Sequence, residues 1–252
     1  MRPALRTVLF TSPYVRQARD LFDRFETPPD SERRAAINSR IKLLVLAGLW
    51  EKLDAFYWLS GDDVQSSMLN WLPNPSYDLT AINSPAFVPG EGFTGDGGTS
   101  YLDTGFNPAT AIGAKFTQDS AHLGLWSRTD LQNGSASSFD IGNNNANIAR
   151  VVSVPGRAGG RANTGTGVTF GSGFYPGHAM FSRTAADVWE SYANGVDAGG
   201  GNTASVAVTN ATIRILGVAV SQYGVNQVAV AHFGGGLTAA DALAIRNAIG
   251  TV

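Results

Sequence analysis

The sequence predicts a mainly β protein. It is expected to be an antiparallel β-sandwich of the jelly-roll type, with a small α-helical region before it and a short C-terminal helix after it. Three observations predict this fold class. The 252 residues include 30 Gly, which suits a chain with many turns. After about residue 75, segments of alternating apolar and polar residues follow one another without helices between them, as in antiparallel sheets. Residues 1–60 instead hold ten of the eighteen Lys and Arg and show helical spacing.

The first 75 residues are predicted to form an α-helical docking region. Val15, Arg19 and Phe22 lie at helical spacing and predict a short first helix. Thr27 or Ser31 is the expected cap of a second helix. Its apolar face is predicted from Ile37, Ile41, Leu44, Val45 and Leu49, and is extended by Trp50, Leu53, Phe56 and Tyr57.

The end of this region is marked by prolines. A further short helix through Met68 is predicted to begin at Asp62 or Asp63, and Pro73 and Pro75 then close the region. The sandwich is therefore expected to occupy residues 76–252. Aromatic residues of the N-terminal region are expected either to pack on the sandwich or to dock onto a neighbouring subunit: Trp50, Phe56, Tyr57, Trp58 and Trp71.

The second part of the chain contains four clear strand segments, at 122–129, 188–193, 212–220 and 227–233. Asn194-Gly195 follows one of them and predicts a type I′ turn, because both central residues of that turn need a positive φ. Near the end of the chain, Thr238 is the expected cap of the C-terminal helix.

Composition excludes several classes of site and partner. The chain has no Cys, which excludes disulfides and thiolate metal sites. A formal net charge of −2 gives no overall basic field for nucleic acid or an anionic membrane. The longest apolar stretch, residues 43–50, is too short to span a membrane, and no targeting segment is evident. We therefore expect neither nucleic-acid binding nor membrane insertion.

Four segments together resemble the concanavalin and laminin-G-like sandwich superfamily. Residues 93–105 are similar to that superfamily's opening Gly-rich strand, and residues 190–196 to its Tyr-x-Asn-Gly hairpin. Residues 213–217 resemble an inner strand ending in Gly, and residues 228–243 resemble the last strand and helix. The order of the four segments is that of the superfamily, so the resemblance implies a concanavalin-like jelly roll over residues 90–250.

A second resemblance covers nearly the whole chain. Residues 22–25, 47–57, 70–71 and 77–85 resemble a group of bacteriophage, prophage and gene-transfer-agent virion proteins. The resemblance implies a spike or fibre component of a phage-like particle, made in the bacterial cytoplasm and displayed on the particle surface. It also implies homo-oligomers, contacts with other virion proteins through the helical region, and attachment to host surface polysaccharide. The alternative is a decoration or connector protein of the head or tail that has this fold but binds no ligand.

A glycan-degrading enzyme is the third possibility, and the sequence argues against it. Glycosidases need two carboxylates across the sugar, and the superfamily places them on one strand as Glu-x-Asp-x-(x)-Glu. That motif is missing here. Glu190 is the only Glu on a predicted sandwich strand, and Asp187 precedes it by three residues, so the two face opposite sides. Asp140 and Asp197 remain open as partners from elsewhere in the chain. We expect no enzymatic activity.

Metal binding is left open by the sequence. His122, His178 and His232 lie in or beside predicted strands and would form a metal site only if the fold gathers them. Calcium is possible because oxygen ligands are supplied by Asp96, Asp103, Asp140 and residues 143–145. No other cofactor is expected.

Candidate carbohydrate-binding residues follow from the implied function. An aromatic ring stacks on the apolar face of a sugar, while amide and charged groups bind its hydroxyls. If Leu123 and Leu125 face the core, the other face of their strand carries His122, Trp126 and Arg128. Trp126 is equally compatible with a place in the core. Loop candidates are Asn144, Tyr175 and Tyr223, and the ligand is expected to be a neutral or acidic polysaccharide.

Overall fold

The computed structural model describes residues 12–129, 138–150, 158–169, 176–250 and 252. Two antiparallel sheets face each other across a shared core, and helices cover the outer face of the first sheet. The predicted fold class, a mainly β antiparallel sandwich with an N-terminal helical region and a C-terminal helix, is confirmed. In the described part of the chain, no helix is long and apolar enough to cross a membrane.

The first sheet contains eight of the described strands. In spatial order they are β13 (Val196–Asn202), β12 (Val188–Ala193), β11 (Gly177–Arg183), β6 (Ala121–Ser127), β17 (Gln227–Gly234), β4 (Gly92–Thr94) and β3 (Ala86–Val88), and β1 (Leu53–Trp58) also pairs with β17.

The second sheet contains seven of the described strands. In spatial order they are β10 (Val168–Thr169), β9 (Ala158–Ala162), β8 (Ala146–Arg150), β7 (Ser138–Gly142), β14 (Arg214–Ile215), β5 (Tyr101–Asp103) and β2 (Thr80–Ile82). A separate two-stranded hairpin consists of β15 (Gly217–Ala219) and β16 (Gln222–Tyr223).

Four α-helices are described, together with two short 3₁₀ helices. The α-helices are α1 (Arg16–Phe22), α2 (Ser31–Leu46), α3 (Val64–Met68) and α4 (Ala239–Ile249), and the 3₁₀ helices are Trp50–Lys52 and Pro75–Tyr77. Thr238 caps α4 in a reciprocal capping box with Asp241, as predicted. Asp63 caps α3, also as predicted. The cap of α2 is Asp30 and not Thr27 or Ser31, because the Asp30 carboxylate accepts a hydrogen bond from the backbone N–H of Arg33.

Alternation along the strands divides the apolar residues between two cores. Leu123 and Leu125 of β6 point into the sandwich, as predicted. Trp126 points the other way, into a second core that the helices form with the first sheet. This second core receives Ile41 and Leu44 from α2. The first sheet is thus buried on both faces.

The helix predicted through Phe56 and Tyr57 is wrong. These residues form strand β1, which extends the first sheet, so the predicted region 1–75 contributes a strand to the sandwich. Tyr57 packs in the sandwich core and Phe56 packs beneath the helices. A strand covered on both faces is apolar throughout, and such a run is hard to distinguish from a helix by its pattern. The aromatic residues of this region pack on the sandwich, with Trp50, Phe56, Tyr57 and Trp71 all buried.

The other strand predictions agree with the structure, with one interruption. Asn194 and Gly195 have φ values of 51° and 80°, as the predicted type I′ turn requires. The predicted strand at 212–220 is broken at Leu216, whose φ is 65°. The chain leaves the second sheet there and continues into the β15–β16 hairpin.

A buried arginine joins the two sheets, and no pattern in the sequence predicted it. Arg183 of β11 is fully buried. Its guanidinium donates hydrogen bonds to four backbone carbonyls, those of Ala162, Ala185, Ala186 and Thr203. It therefore connects β9 of the second sheet to loops at the end of the first sheet.

Candidate functional site

An open cleft lies at one end of the first sheet, where a strand end, a turn and a helix meet. Its volume is about 470 Å³, which is within the usual range for a ligand site. The cleft is lined by Trp126 and Arg128 at the end of β6, Pro176 and Gly177 at the start of β11, Asn194 in the β12–β13 turn, Arg246 of α4, and Val252. Two of the predicted site residues, Trp126 and Arg128, therefore lie together.

The β12–β13 turn forms one wall of the cleft. Asn194 accepts a hydrogen bond from the His178 backbone N–H at 3.0 Å, and its own N–H donates to the His178 carbonyl at 2.7 Å. A Cβ at Gly177 would lie 2.6 Å from the Asn194 side-chain oxygen, so glycine permits this close approach. The exposed amide of Asn194 is thus fixed at the edge of the cleft.

Arg246 lies over the indole ring of Trp126. Its guanidinium carbon is 4.7 Å from the ring centroid, and one terminal nitrogen donates to the Gly250 carbonyl at 2.7 Å. The Trp126 side chain is 9% exposed. The ring therefore packs against Arg246, which agrees with the alternative left open for Trp126, a place in the core.

The cleft carries two positive charges. Arg128 donates to the backbone carbonyls of Gly90 and Glu91 at 2.9 and 3.0 Å. Within the described residues, neither Arg128 nor Arg246 forms an ion pair with a carboxylate. Because neither guanidinium has a carboxylate beside it to balance its charge, the cleft is suited to an anion.

His122 does not belong to the cleft. It faces the outer side of the first sheet as predicted, but that side is covered by helices, and His122 is fully buried. The three histidines form a buried row across β6, β17 and β11. His122 Nδ1 is 2.6 Å from the Gly235 carbonyl, His122 Nε2 is 3.1 Å from His232 Nδ1, and His232 Nε2 is 2.9 Å from His178 Nε2.

The histidine row fits three neutral rings and no metal ion. If His122 Nδ1 donates to the Gly235 carbonyl, then His232 Nδ1 donates to His122 Nε2, and His178 Nε2 donates to His232 Nε2. His178 Nδ1 is then an acceptor without a hydrogen-bond partner. Burial lowers the pKa of His122 to about 4 and that of His178 to about 3, and it holds the pKa of His232 well below its usual value. Opposite nitrogens of His232 contact the other two rings, so one ion would not be shared by all three.

The row also depends on a glycine. His232 lies over Gly124, and a Cβ at that position would be 2.1 Å from His232 Cε1. Phe56 stacks on the other side of His232, with ring centroids 6.1 Å apart. The sequence contained a signal for this arrangement, since Gly124 interrupts a strand of large residues, but nothing that paired it with a distant histidine.

Three of the predicted loop residues lie away from the cleft or outside the described residues. Tyr223 of β16 is half-buried beside Tyr101 of β5, with ring centroids 6.2 Å apart, and Arg214 lies 4.3 Å over the Tyr101 ring. This group is on the outer face of the second sheet. Asn144 is exposed in the β7–β8 turn, where its carbonyl accepts from Arg161. Tyr175 lies outside the described residues.

Two of the oxygen ligands suggested for calcium, Asp96 and Asp103, accept hydrogen bonds from residues that follow them closely in the chain. Asp96 accepts the backbone N–H groups of Gly98, Thr99 and Ser100, and these bonds lower the pKa of its carboxyl well below the usual value. Asp103 accepts the Gly105 N–H. Among the described residues, no three His, Asp or Glu side chains are grouped as a metal site would need.

The two carboxylates left open as catalytic partners of Glu190 are placed differently: Asp140 is on the second sheet, whereas Asp197 is on β13, the strand that pairs with the β12 strand of Glu190. Asp140 of β7 is buried in the second sheet, where Ser138 and Asn226 donate to it. Asp197 of β13 lies at the edge of the first sheet and accepts the Gly199 N–H. Glu190 of β12 accepts a hydrogen bond from the Tyr192 hydroxyl. Burial raises the pKa of Tyr192, and the hydrogen bond to Glu190 raises it further.

Comparison with known proteins identifies the architecture. No protein-family model matches the chain, and no curated protein sequence matches it. A sialidase of Trypanosoma rangeli, in complex with 2,3-difluoro-KDN, matches with a TM-score of 0.54 and 9% identity over 85% of this chain and 39% of its own. The binding domain of botulinum neurotoxin DC, in complex with rat synaptotagmin II, matches at 0.53 and 11% over 79% of this chain and 52% of its own.

A third solved structure concerns botulinum neurotoxin type C, whose cell entry is described as dependent upon interaction with two ganglioside molecules. It matches with a TM-score of 0.54 and 10% identity over 82% of this chain and 53% of its own. The chain thus spans about two fifths of the sialidase and about half of each neurotoxin chain. At these identities the likeness concerns the fold, and the chain has the lectin-like β-sandwich fold that these proteins contain.

Proposed function

We propose that this protein binds an acidic glycan in the cleft between Arg128, Asn194 and Arg246. The observation that carries the proposal is the pair of guanidinium groups in one open cleft without a carboxylate partner among the described residues. A guanidinium presents two parallel N–H groups that match the two oxygens of a carboxylate. The sequence left neutral and acidic sugars open, and the buried face of Trp126 favours the acidic class.

Binding without cleavage is part of the proposal. The cleft is lined by two cationic side chains and an amide, with no Asp or Glu side chain among its described lining residues. Glycoside hydrolysis needs two carboxyl groups a few ångströms apart on either side of the scissile bond. The cleft residues instead supply donors that hold a sugar acid in a fixed position.

The biological setting that we propose is the surface of a phage-like particle. The resemblance of the helical region to virion proteins supports this setting, and weak sites gain avidity when a particle repeats them. The helical layer would be the attachment side. Leu43 and Leu46 of α2 and Leu243 of α4 are 46%, 73% and 49% exposed, and apolar groups of this kind are typical of contact surfaces. A decoration protein that uses this layer but binds no glycan is the competing function.

The proposal is tested by binding of the purified chain to polygalacturonate, an acidic polysaccharide, and to neutral dextran. We expect saturable binding to polygalacturonate that weakens with salt, and none to dextran. Arg246→Gln should weaken binding by about tenfold, since hydrogen bonds to charged groups contribute about 1.5–3 kcal/mol.

The matched control is Arg214→Gln. Arg214 lies over Tyr101 in the same way that Arg246 lies over Trp126, but on the other sheet. Arg214→Gln should leave binding to polygalacturonate unchanged. Loss of binding in Arg214→Gln with retention in Arg246→Gln would move the site to Tyr101 and Tyr223. Absence of binding to acidic polysaccharide, and equal adsorption to host cells with and without capsule, would favour the decoration protein.

A further inference from the structure

A second, smaller cavity lies between α2 and the edge of the first sheet, separate from the Trp126 cleft. Its volume is about 160 Å³, room for several water molecules at about 30 Å³ each. It is lined by Phe25, by Arg33, Ala36, Ile37 and Arg40 of α2, by Trp58 and Ser60 at the end of β1, by Ser66 of α3, and by Trp71. Trp58 and Trp126 flank Val230 in the sheet, on the strands to either side of it. The small cavity and the Trp126 cleft are therefore close to each other but separate.

Arg40 is the unusual residue of this cavity. Its guanidinium carbon is 4.3 Å from the centroid of the Trp58 ring, and Trp58 in turn stacks on Trp71 with centroids 5.7 Å apart. The Arg40 Nε atom is buried and has no hydrogen-bond partner. Within the described residues, Arg40 makes no ion pair either. Burial alone lowers its pKa, because no nearby carboxylate offsets the loss of water.

The other charged groups at the cavity are already paired. Arg33 forms an ion pair with Asp62, and Asp63 accepts the Ser66 N–H as the cap of α3. The Ser60 backbone N–H donates to the Ala229 carbonyl, while no hydrogen bond of the Ser60 hydroxyl is present in the described structure. Arg40 and Ser60 therefore supply donors to the cavity that nothing else in the described chain uses.

We infer that this cavity binds a small oxyanion, a carboxylate or a phosphate group, through Arg40 and Ser60. The guanidinium is fixed in one plane by Trp58, as bidentate binding of an oxyanion requires. An anion there supplies the acceptors that Arg40 lacks, and a buried charged donor without an acceptor is costly. The walls of Trp58, Trp71 and Ile37 limit the ligand to the size of a small organic acid or phosphate.

The experiment titrates the full chain with sodium phosphate and, separately, with sodium acetate, against sodium chloride at the same ionic strength. The signal is the indole N–H resonance of Trp58 in a ¹⁵N-labelled sample, identified by its loss in Trp58→Phe. We expect a saturable shift with at least one of the two oxyanions and none with chloride. The oxyanion that binds more tightly shows whether the cavity prefers a phosphate or a carboxylate group. Shifts that are absent with both, or equal to those with chloride, overturn the inference.

Variants locate the effect at Arg40. Arg40→Gln should weaken the titration at least about tenfold. Arg34→Gln removes the same charge from the same helix, at a residue that lies 5.9 Å from the Phe22 ring instead, and should leave the titration unchanged. If Arg40→Gln does not fold, Arg40→Lys and Ser60→Ala replace it and should each weaken the titration. Unchanged titration in the folded Arg40 variant overturns the inference. Arg246→Gln tests the glycan cleft separately and should not alter the oxyanion titration.

Discussion

The outer faces of the two sheets are built from the same kind of alternating strand, yet they have different surroundings. The first sheet carries the histidine row, Phe56 and Met180 outward, and all of them are buried under helices. The second sheet carries Tyr101, Asp103 and Arg214 outward, and all three are only half-buried. Alternation therefore predicts which side of a strand a residue faces, but not what covers that side.

The difference between the faces affects which polar residues are available to a ligand. A polar residue on a covered face must find its partners inside the protein, as His122 does with Gly235 and His232. Polar residues at the edge of the cover, such as Arg128 and Arg246, keep donors for a ligand. The candidate cleft lies at this edge, where the helices no longer cover the first sheet.

The largest expected effect on the covered face is a loss of stability in mild acid. The three histidines have lowered pKa values when folded and a pKa of about 6.5 when unfolded. Below about pH 6.5 the unfolded chain therefore binds more protons, and the free energy of unfolding falls as the pH falls. Each group contributes about 1.4 kcal/mol per pH unit, so the three together approach about 4 kcal/mol per unit. Urea unfolding between pH 7 and 5 measures the slope.

Charged groups near the histidine row also affect how readily the histidines are protonated. Lys52 and Arg246 disfavour the protonated histidines, while Asp241 of α4 favours protonation of His122. His178→Leu removes one titrating group and should reduce the slope by about one third, although it also lowers stability at pH 7. A slope at pH 6 no steeper than in a chain with exposed histidines would mean that the row is accessible to water.

A pair of glycine substitutions compares the two faces directly. Gly124→Ala places a Cβ 2.1 Å from His232 Cε1, whereas Gly217→Ala places one 3.4 Å from the Tyr101 Cβ. Overpacking a buried site typically costs about 1–3 kcal/mol, so Gly124→Ala should lower the free energy of unfolding by that amount. The Cβ of Gly217→Ala would lie at ordinary contact distance from its neighbours, so this variant should be clearly less destabilised than Gly124→Ala. Equal urea midpoints for the two variants would contradict the tight packing of the row.

The smallest expected effect concerns the solvent side of the helical layer. Leu46 is 73% exposed, so Leu46→Glu should change the free energy of unfolding by less than about 0.5 kcal/mol. If the layer attaches to other particle proteins, the same variant should weaken association in light scattering or co-sedimentation with particle components. Ser39→Glu, a substitution at another exposed residue of α2, is the control. A marked loss of thermal stability in Leu46→Glu would show that Leu46 is part of the core.

The class of fold could be predicted from the sequence because turn and cap signals act locally. Asn194-Gly195 forms its turn and Thr238 caps its helix as local chemistry requires. Strand β1 was missed because burial on both faces removes alternation. The cleft was predicted in part, since Trp126 and Arg128 are neighbours on one strand. Arg246 comes from the C-terminal helix, and only the fold brings it over Trp126.

The most direct test of the proposed glycan site is a crystal structure of the chain with trigalacturonate, a short acidic oligosaccharide. We expect one sugar carboxylate to accept hydrogen bonds from Arg246 or Arg128 at about 2.7–2.9 Å, with Asn194 contacting a hydroxyl of the same sugar. A ligand bound at Arg214 and Tyr101 on the second sheet, or an empty cleft at saturating ligand, would contradict the assignment of this cleft as the glycan site.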